Sequence, residues 1–355
     1  MREERWDFYK GFLIFSVIWG HCINALRAGE FYSVWIHIFL RSFDMPMFAF
    51  ISGVFLRKSC QKRSCVENLL NKIGTILLPV VLWNIIYNLI GGKPGFYIGR
   101  FWFLWSIFFV SCVIILIDTF FKNYKLIQII VFIITLVLFH TVINDSWNIG
   151  FLLFPCIIGY YYNSITDFIY TRFPNKLLYI RFFVIIAFCI CQIFWISEYN
   201  VWNTGCNMFQ FGTPIKTLLI ICYRGIIGIL GCFAIKIILD LLVDLRRKST
   251  KLQIYTRGGV FSGRITLELY ILQTLLVESW GSSAVVKVVH LLGFNPFTYN
   301  PILLGLVFAP ILAVISLFIM ALLVQIIKKI PIVGSYVFGI SYSQFRNDMK
   351  LRKLK

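Results

Sequence analysis

Lys10 and His21 lie in one apolar run, Phe8 to Ile23, with ten residues between them. An ionisable residue within a membrane-crossing segment must be desolvated, paired or set against a water-filled cavity, so it marks a functional site by default. Histidine's ordinary pKa of about 6.5 lets it take and return protons near neutral pH, which suits it to general-base work. On a helix, the eleven positions from Lys10 bring His21 back to within about 20° of the same face, roughly 16 Å further along. Asp7 lies one turn below Lys10, so one stripe carries all three groups.

The elements that must position this stripe follow from composition. The 355 residues are 59% hydrophobic, 18% aromatic and only 14% charged, with mean hydropathy +0.82, far from the balance of a water-soluble domain. The fold class expected is all-α: a polytopic membrane helix bundle of about ten transmembrane helices. At about 20 residues per crossing, the runs are Phe8 to Ala25, Tyr32 to Leu56, Leu69 to Ile90, Phe101 to Phe121 and Leu126 to Val142. They continue with Trp147 to Tyr162, Leu177 to Ile196, Ile215 to Leu242, Arg264 to Trp280 and Ile302 to Ile327. The fifth, sixth and ninth are short.

Lys and Arg sort independently with these runs. With the amino terminus inside, 25 of the 34 basic residues fall in cytoplasmic segments, whereas the outer loops hold Arg27, Lys93, Arg100, Lys216 and Lys287. By the positive-inside rule both termini are cytoplasmic. Lys10, Arg41, Arg224 and Lys236 remain within spans. The net charge of +19 is dispersed over loops and lacks a nucleic-acid-binding motif, so nucleic acid is not an expected partner. Orientation and anionic membrane lipid account for most of it. The dense segments Arg57 to Lys72 and Arg246 to Arg264 also suit a phosphorylated cytoplasmic substrate.

Most of the ten cysteines lie in apolar runs and no CxxC pair occurs, so they read as small hydrophobes and no metal is expected. The first run is read as a retained helix and not a cleaved signal peptide, because Lys10 interrupts it and a small-residue cleavage site is lacking. No clear internal repeat stands out. The aromatic load, 36 Phe, 17 Tyr and 10 Trp, fits interfacial belts and lipid-facing packing.

Several short motifs occur in a telling order. Arg5-Trp6-Asp7-Phe8-Tyr9-Lys10-Gly11 is followed by Trp19-Gly20-His21. The second run contains Phe43-Asp44-Met45-Pro46-Met47-Phe48-Ala49-Phe50-Ile51-Ser52-Gly53. Trp102-Phe103-Leu104 comes later, and Gly263-Arg264-Ile265-Thr266-Leu267-Glu268-Leu269-Tyr270 later still. Together they resemble acyltransferase family 3, integral-membrane sugar O-acetyltransferases of the fucose 4-O-acetylase-like kind, over residues 5 to 273. Lys10 stands where many members carry arginine. Asp44 and Gln273 stand where many carry histidines.

The resemblance implies an enzyme that moves an acetyl group from cytoplasmic acetyl-CoA, its acyl donor, to a hydroxyl of a cell-surface polysaccharide or lipid-linked sugar precursor at a bacterial inner membrane. His21 would be the general base or a transient acyl carrier. Apart from the resemblance, Asp44 and His21 both lie toward the outer side of adjacent spans, where Asp44 could orient or electrostatically stabilise His21. Lys10 would face the donor, and Arg57, Lys58 and Lys72 would hold CoA phosphates. Asp7, Trp102, Glu268 and Tyr270 are the acceptor-side candidates. Residues 1–330 would form the membrane acyltransferase domain and 331–355 a basic cytoplasmic tail.

Quieter readings stand beside these. Lys10 could snorkel to the interface, Asp44 could cap a helix before Met45-Pro46, and Trp102 could be an interfacial anchor. Glu268 and Tyr270 could serve only interhelical hydrogen bonds, and Gly20 and Gly53 suit close helix packing. His37, His140 and His290 have no motif support. The competing function is a transporter or flippase of a polar glycan or lipid intermediate; a third is an inactive relative that binds glycan or partners.

Overall fold

A computed structural model describes residues 4–27, 34–91, 101–141, 147–196, 214–281, 300–330 and 336–341. Every regular element among them is a helix. In chain order they are α1 (Glu4–Arg27), α2 (Trp35–Cys60), α3 (Cys65–Ile90), α4 (Trp102–Phe121), α5 (Lys125–Thr141) and α6 (Ile149–Tyr160). Then come α7 (Tyr162–Arg172), α8 (Pro174–Ile193), α9 (Pro214–Lys248), α10 (Thr250–Arg264), α11 (Thr266–Glu278) and α12 (Pro301–Lys329).

Six of these are long and apolar enough to cross a membrane, or eight if the bent pairs α6/α7 and α10/α11 each count as one span. The protein is therefore a multi-pass membrane protein. The expected ten included two segments that fall short by this measure. One is α1, charged at Glu4, Arg5, Asp7 and Lys10; the other is α5, with 17 residues. The expected sixth span is α6, from which α7 turns away by 53° after Tyr160, and the expected ninth is α11, which begins at a 75° bend from α10.

Helix ends follow local chemistry. Glu4 and Asp7 occupy the first turn of α1, where carboxylates complement the helix dipole, and Arg57 with Lys58 close α2 at the opposite pole. Ser64 and Glu67 form a reciprocal capping box that starts α3.

The helices gather into two compact units: Met1–Asp44 with Leu230–Ile330, and Met45–Ile229 with Pro331–Lys355. In the first, α1 and α10 touch backbone to backbone. A Cβ on Gly11 would fall 1.8 Å from the Gly259 carbonyl oxygen, and one on Gly263 would fall 1.6 Å from that of Asp7. Small residues permit this approach, the main source of dispersion contact between helices in lipid.

The second unit repeats the device between α2 and α6. A Cβ on Gly53 would fall 2.0 Å from the Cys156 oxygen, and one on Gly159 would fall 1.9 Å from that of Phe50. Gly53 thus has the packing role expected of it. Residues 336–341 lie on α3: Trp83 Nε1 donates to the Val337 carbonyl (3.0 Å), and Ile340 N–H to that of Gly74 (3.0 Å). Gly74 belongs to the π-helical turns Ile73–Leu77.

Candidate active site

His21 and the two residues before it, Trp19 and Gly20, are held by different elements within the first unit. Trp19 Nε1 donates to the carbonyl of Gly305 (2.7 Å), in the π-helical turns Leu304–Phe308 of α12. A π-turn spaces its backbone bonds by five residues and interrupts the regular α-helical ladder, and such turns recur at functional sites. Gly305 leaves no room for a side chain, since a Cβ would meet Ile36 at 2.4 Å and Val34 at 2.9 Å.

A second π-helical stretch, Thr274–Gly281, carries Glu278 to His21. His21 Nε2 lies 2.9 Å from Glu278 Oε1. The same oxygen accepts from the Gln273 amide at 3.3 Å, and that amide also reaches the Thr274 hydroxyl at 3.0 Å. With Glu278 accepting from Nε2–H, the neutral ring keeps its lone pair on Nδ1, and the carboxylate is placed to stabilise the ring once it takes a second proton. The side chains of His21 and Glu278 are 17% and 33% exposed, which leaves the pair open to a reactant.

Arg41 lies beside this pair. Its Nη1 donates to Asp44 at 2.7 Å, and Asp44 is wholly buried. The guanidinium packs against Gly20, where a Cβ would come within 3.0 Å of Nη2. The carboxylate hydrogen-bonded to His21 is therefore Glu278, while Asp44 accepts from Arg41. Gln273, at the position where many relatives have histidine, supports Glu278 with its amide.

Towards the amino-terminal end of α1 the charges are interlaced. Lys10 pairs with the buried Asp7 at 3.0 Å, Arg264 approaches Asp7 and Glu4 at 3.6 Å each, and Arg246 approaches Glu4 at 3.4 Å. Tyr9 donates to Asp240, which also takes Lys236 at 2.6 Å. Glu268 pairs with Lys328, and the buried Tyr270 lends its carbonyl to Thr274.

The remaining candidates sit in the second unit. Arg57 donates to the Tyr160 hydroxyl (2.7 Å), stands over that ring at 4.9 Å and lies 3.5 Å from Asp118. Asp118 also accepts from Tyr160 and, at 3.3 Å, from Gln128, whose carbonyl takes the Tyr161 hydroxyl at 2.5 Å. Lys58 follows in the last turn of α2, half-buried. Lys72 lies within electrostatic reach of Cys60, Cys112 and Cys156. Trp102 opens α4, edge-on to Phe103, with its carbonyl bonded to Ser106. Among the described residues no group of three His, Cys, Asp or Glu side chains could hold a metal ion.

Glu278, Arg41 and His37 had no assigned role in the sequence reading. Glu278 and Arg41 satisfy the criterion that drew attention to His21, an ionisable residue inside an expected span; their partners are what the sequence hides. His37 is buried within electrostatic reach of Arg41 and His21.

A family profile described as an acyltransferase domain matches residues 3–328. The chain belongs to acyltransferase family 3. It is thus a multi-pass membrane acyltransferase, and the His21 cluster lies within the matched region. The enzyme is also similar to nodulation protein NolL of Mesorhizobium japonicum, 26% identical over 137 residues, 34% of this chain and 37% of that protein. Nodulation protein NolL of Sinorhizobium fredii is 23% identical over 124 residues, 30% of this chain and 34% of that protein. The matched stretch spans about a third of each relative's length. No solved structure gives a significant match.

Proposed function

We propose that the enzyme moves an acetyl group from acetyl-CoA to a hydroxyl of a cell-surface polysaccharide or its lipid-linked precursor, at a bacterial inner membrane, with His21 as general base and Glu278 as its orienting carboxylate. The observation that carries this reading is the 2.9 Å contact between His21 Nε2 and Glu278 in a chain of an acyltransferase family.

Nδ1 of His21 takes the proton of the acceptor hydroxyl as its oxygen bonds to the thioester carbonyl carbon. The carbonyl π electrons move onto oxygen. Collapse breaks the carbon–sulfur bond, and the proton passes from the imidazolium to the departing thiolate, giving the ester and free CoA. Glu278 holds the ring in the required tautomer and offsets its transient positive charge.

Within the second unit, the cations suited to a donor's phosphates are Lys58, Lys72 and Arg57, whose Nη1 is tied to Tyr160 and Asp118. Lys10 would face the pantetheine end. In the first unit Tyr270 would offer its ring to the acceptor, while Asp7 and Glu268 act through the cations they hold, Lys10 and Lys328; Trp102 is the candidate of the second unit.

Glu278→Gln tests the pair. Labelled transfer from acetyl-CoA in membranes should fall at least about 100-fold in kcat, with the donor KM little changed. Native turnover in this variant would remove Glu278 from the chemistry. Glycan movement without any acetyl-CoA consumption by the native protein would instead favour a flippase.

A further inference from the structure

Arg41 is a cation inside a membrane-spanning helix, three residues before a wholly buried carboxylate. An isolated arginine there is costly, but the 2.7 Å pair with Asp44 makes a neutral unit that is far cheaper to bury. Such a pair still has a direction. Asp44 takes Nη1, while the rest of the guanidinium lies along Gly20: a Cβ at that residue would be 3.0 Å from Nη2, 3.1 Å from Cζ and 3.3 Å from Nε.

Gly20 precedes His21, so the positive end of the pair rests one residue from the proposed base. Arg41 is also close enough to Glu278 and His37 to act on both electrostatically, and its side chain is 19% exposed. In acyl transfer the negative charge appears on the carbonyl oxygen, within a few ångströms of the base, because one hydroxyl bridges base and carbonyl carbon. A fixed donor aimed at that oxygen in a water-poor site is among the largest contributions to such reactions.

We propose that Arg41 is a second catalytic residue, whose guanidinium, oriented by Asp44 and seated against Gly20, stabilises the oxyanion formed at the acyl carbonyl as His21 takes the acceptor's proton. The inference rests on the acyl-transfer reading given above. It also gives Asp44 a role as the residue that positions Arg41. The ligand class recognised is the carbonyl oxygen of a thioester in its tetrahedral state, and the planar fork of arginine is what the position requires.

The discriminating variant is the double substitution Arg41→Gln/Asp44→Asn in the full-length protein in membranes. It removes both charges of the pair together. A merely structural Arg41 predicts that the double variant regains the activity lost in Arg41→Gln alone. The catalytic role predicts that kcat stays about 100-fold down in both, with the acetyl-CoA KM within threefold of native and the thermal midpoint of the double variant near native.

A double variant within threefold of native kcat overturns the proposal. If the double variant does not accumulate, Arg41→Lys, which keeps the charge and the pairing, decides: at normal abundance a loss of tenfold or more in kcat supports the fork, and a native kcat overturns it. His21→Ala runs in parallel. Activity retained there sinks the acyl-transfer reading itself, whereas an inactive His21→Ala beside a fully active double variant sinks only the role of Arg41.

Discussion

The two units each contain a polar cluster among membrane-spanning helices, and the clusters are built to opposite ends. In the second unit Asp118 takes Arg57, Tyr160 and Gln128, and Gln128 in turn takes Tyr161. Each bond closes onto another member, and four helices are tied together. In the first unit Glu278 takes His21 and Gln273, yet His21 keeps a second ring nitrogen beyond that contact, and both members of the pair are partly open. A saturated network specifies packing; a network left one bond short at a titratable atom is equipped for proton transfer.

The contrast can be broken most directly at Asp118. Asp118→Ala leaves the buried donors of Tyr160 and Gln128 unsatisfied and part-exposed Arg57 without its carboxylate, and is expected to lower stability by about 3–5 kcal/mol, read as a fall in the detergent-solubilised thermal midpoint and in abundance. An unchanged midpoint would mean that the second cluster is not the closed structural unit described. Next in size are the backbone contacts. Gly263→Ala in one unit and Gly159→Ala in the other must separate touching helices, with an expected loss of about 1–3 kcal/mol each; tolerance at either position would show that its helices can part freely.

Glu278→Gln sharpens the comparison from the other side. Its thermal midpoint should correspond to less than about 1 kcal/mol, because the amide still accepts a hydrogen bond, even as turnover collapses. A large loss of stability would make Glu278 a framework residue like Asp118. The smallest effect expected is at Tyr161→Phe, which deletes one bond to Gln128 at about 1 kcal/mol and leaves transfer per folded molecule at the native value. A specific loss of turnover there would show that the packing of the second cluster, and not only donor contact at Arg57, reaches the chemistry.

Much of this was legible in the sequence because membranes impose simple rules. The apolar runs mark most of the helices in order, though α7 and α10 fall in segments read as cytoplasmic loops, and the paired motifs around His21 and Asp44 point to the family. The bends after Tyr160 and Arg264 were not legible, since hydropathy reports length and composition without axis direction. Nor were the π-turns, which have no residue signature comparable to a cap or a proline. They matter because one carries Glu278 to His21 and another presents Gly305 to Trp19. Asp44 was read as orienting or stabilising His21 from its place toward the outer side of the adjacent span; a three-residue spacing on one helix turn joins it to Arg41, and the hydrogen-bonded partner of His21 comes from 257 positions away. Arg57 likewise finds Asp118 and Tyr160 only through the packing of α2, α4 and α6.

The most direct measurement of the central claim is transfer of labelled acetyl from acetyl-CoA into the glycan fraction of membranes containing the native enzyme or an equally abundant His21→Ala variant. The account predicts label with the native histidine and only background without it. Equal labelling by the two proteins would contradict it.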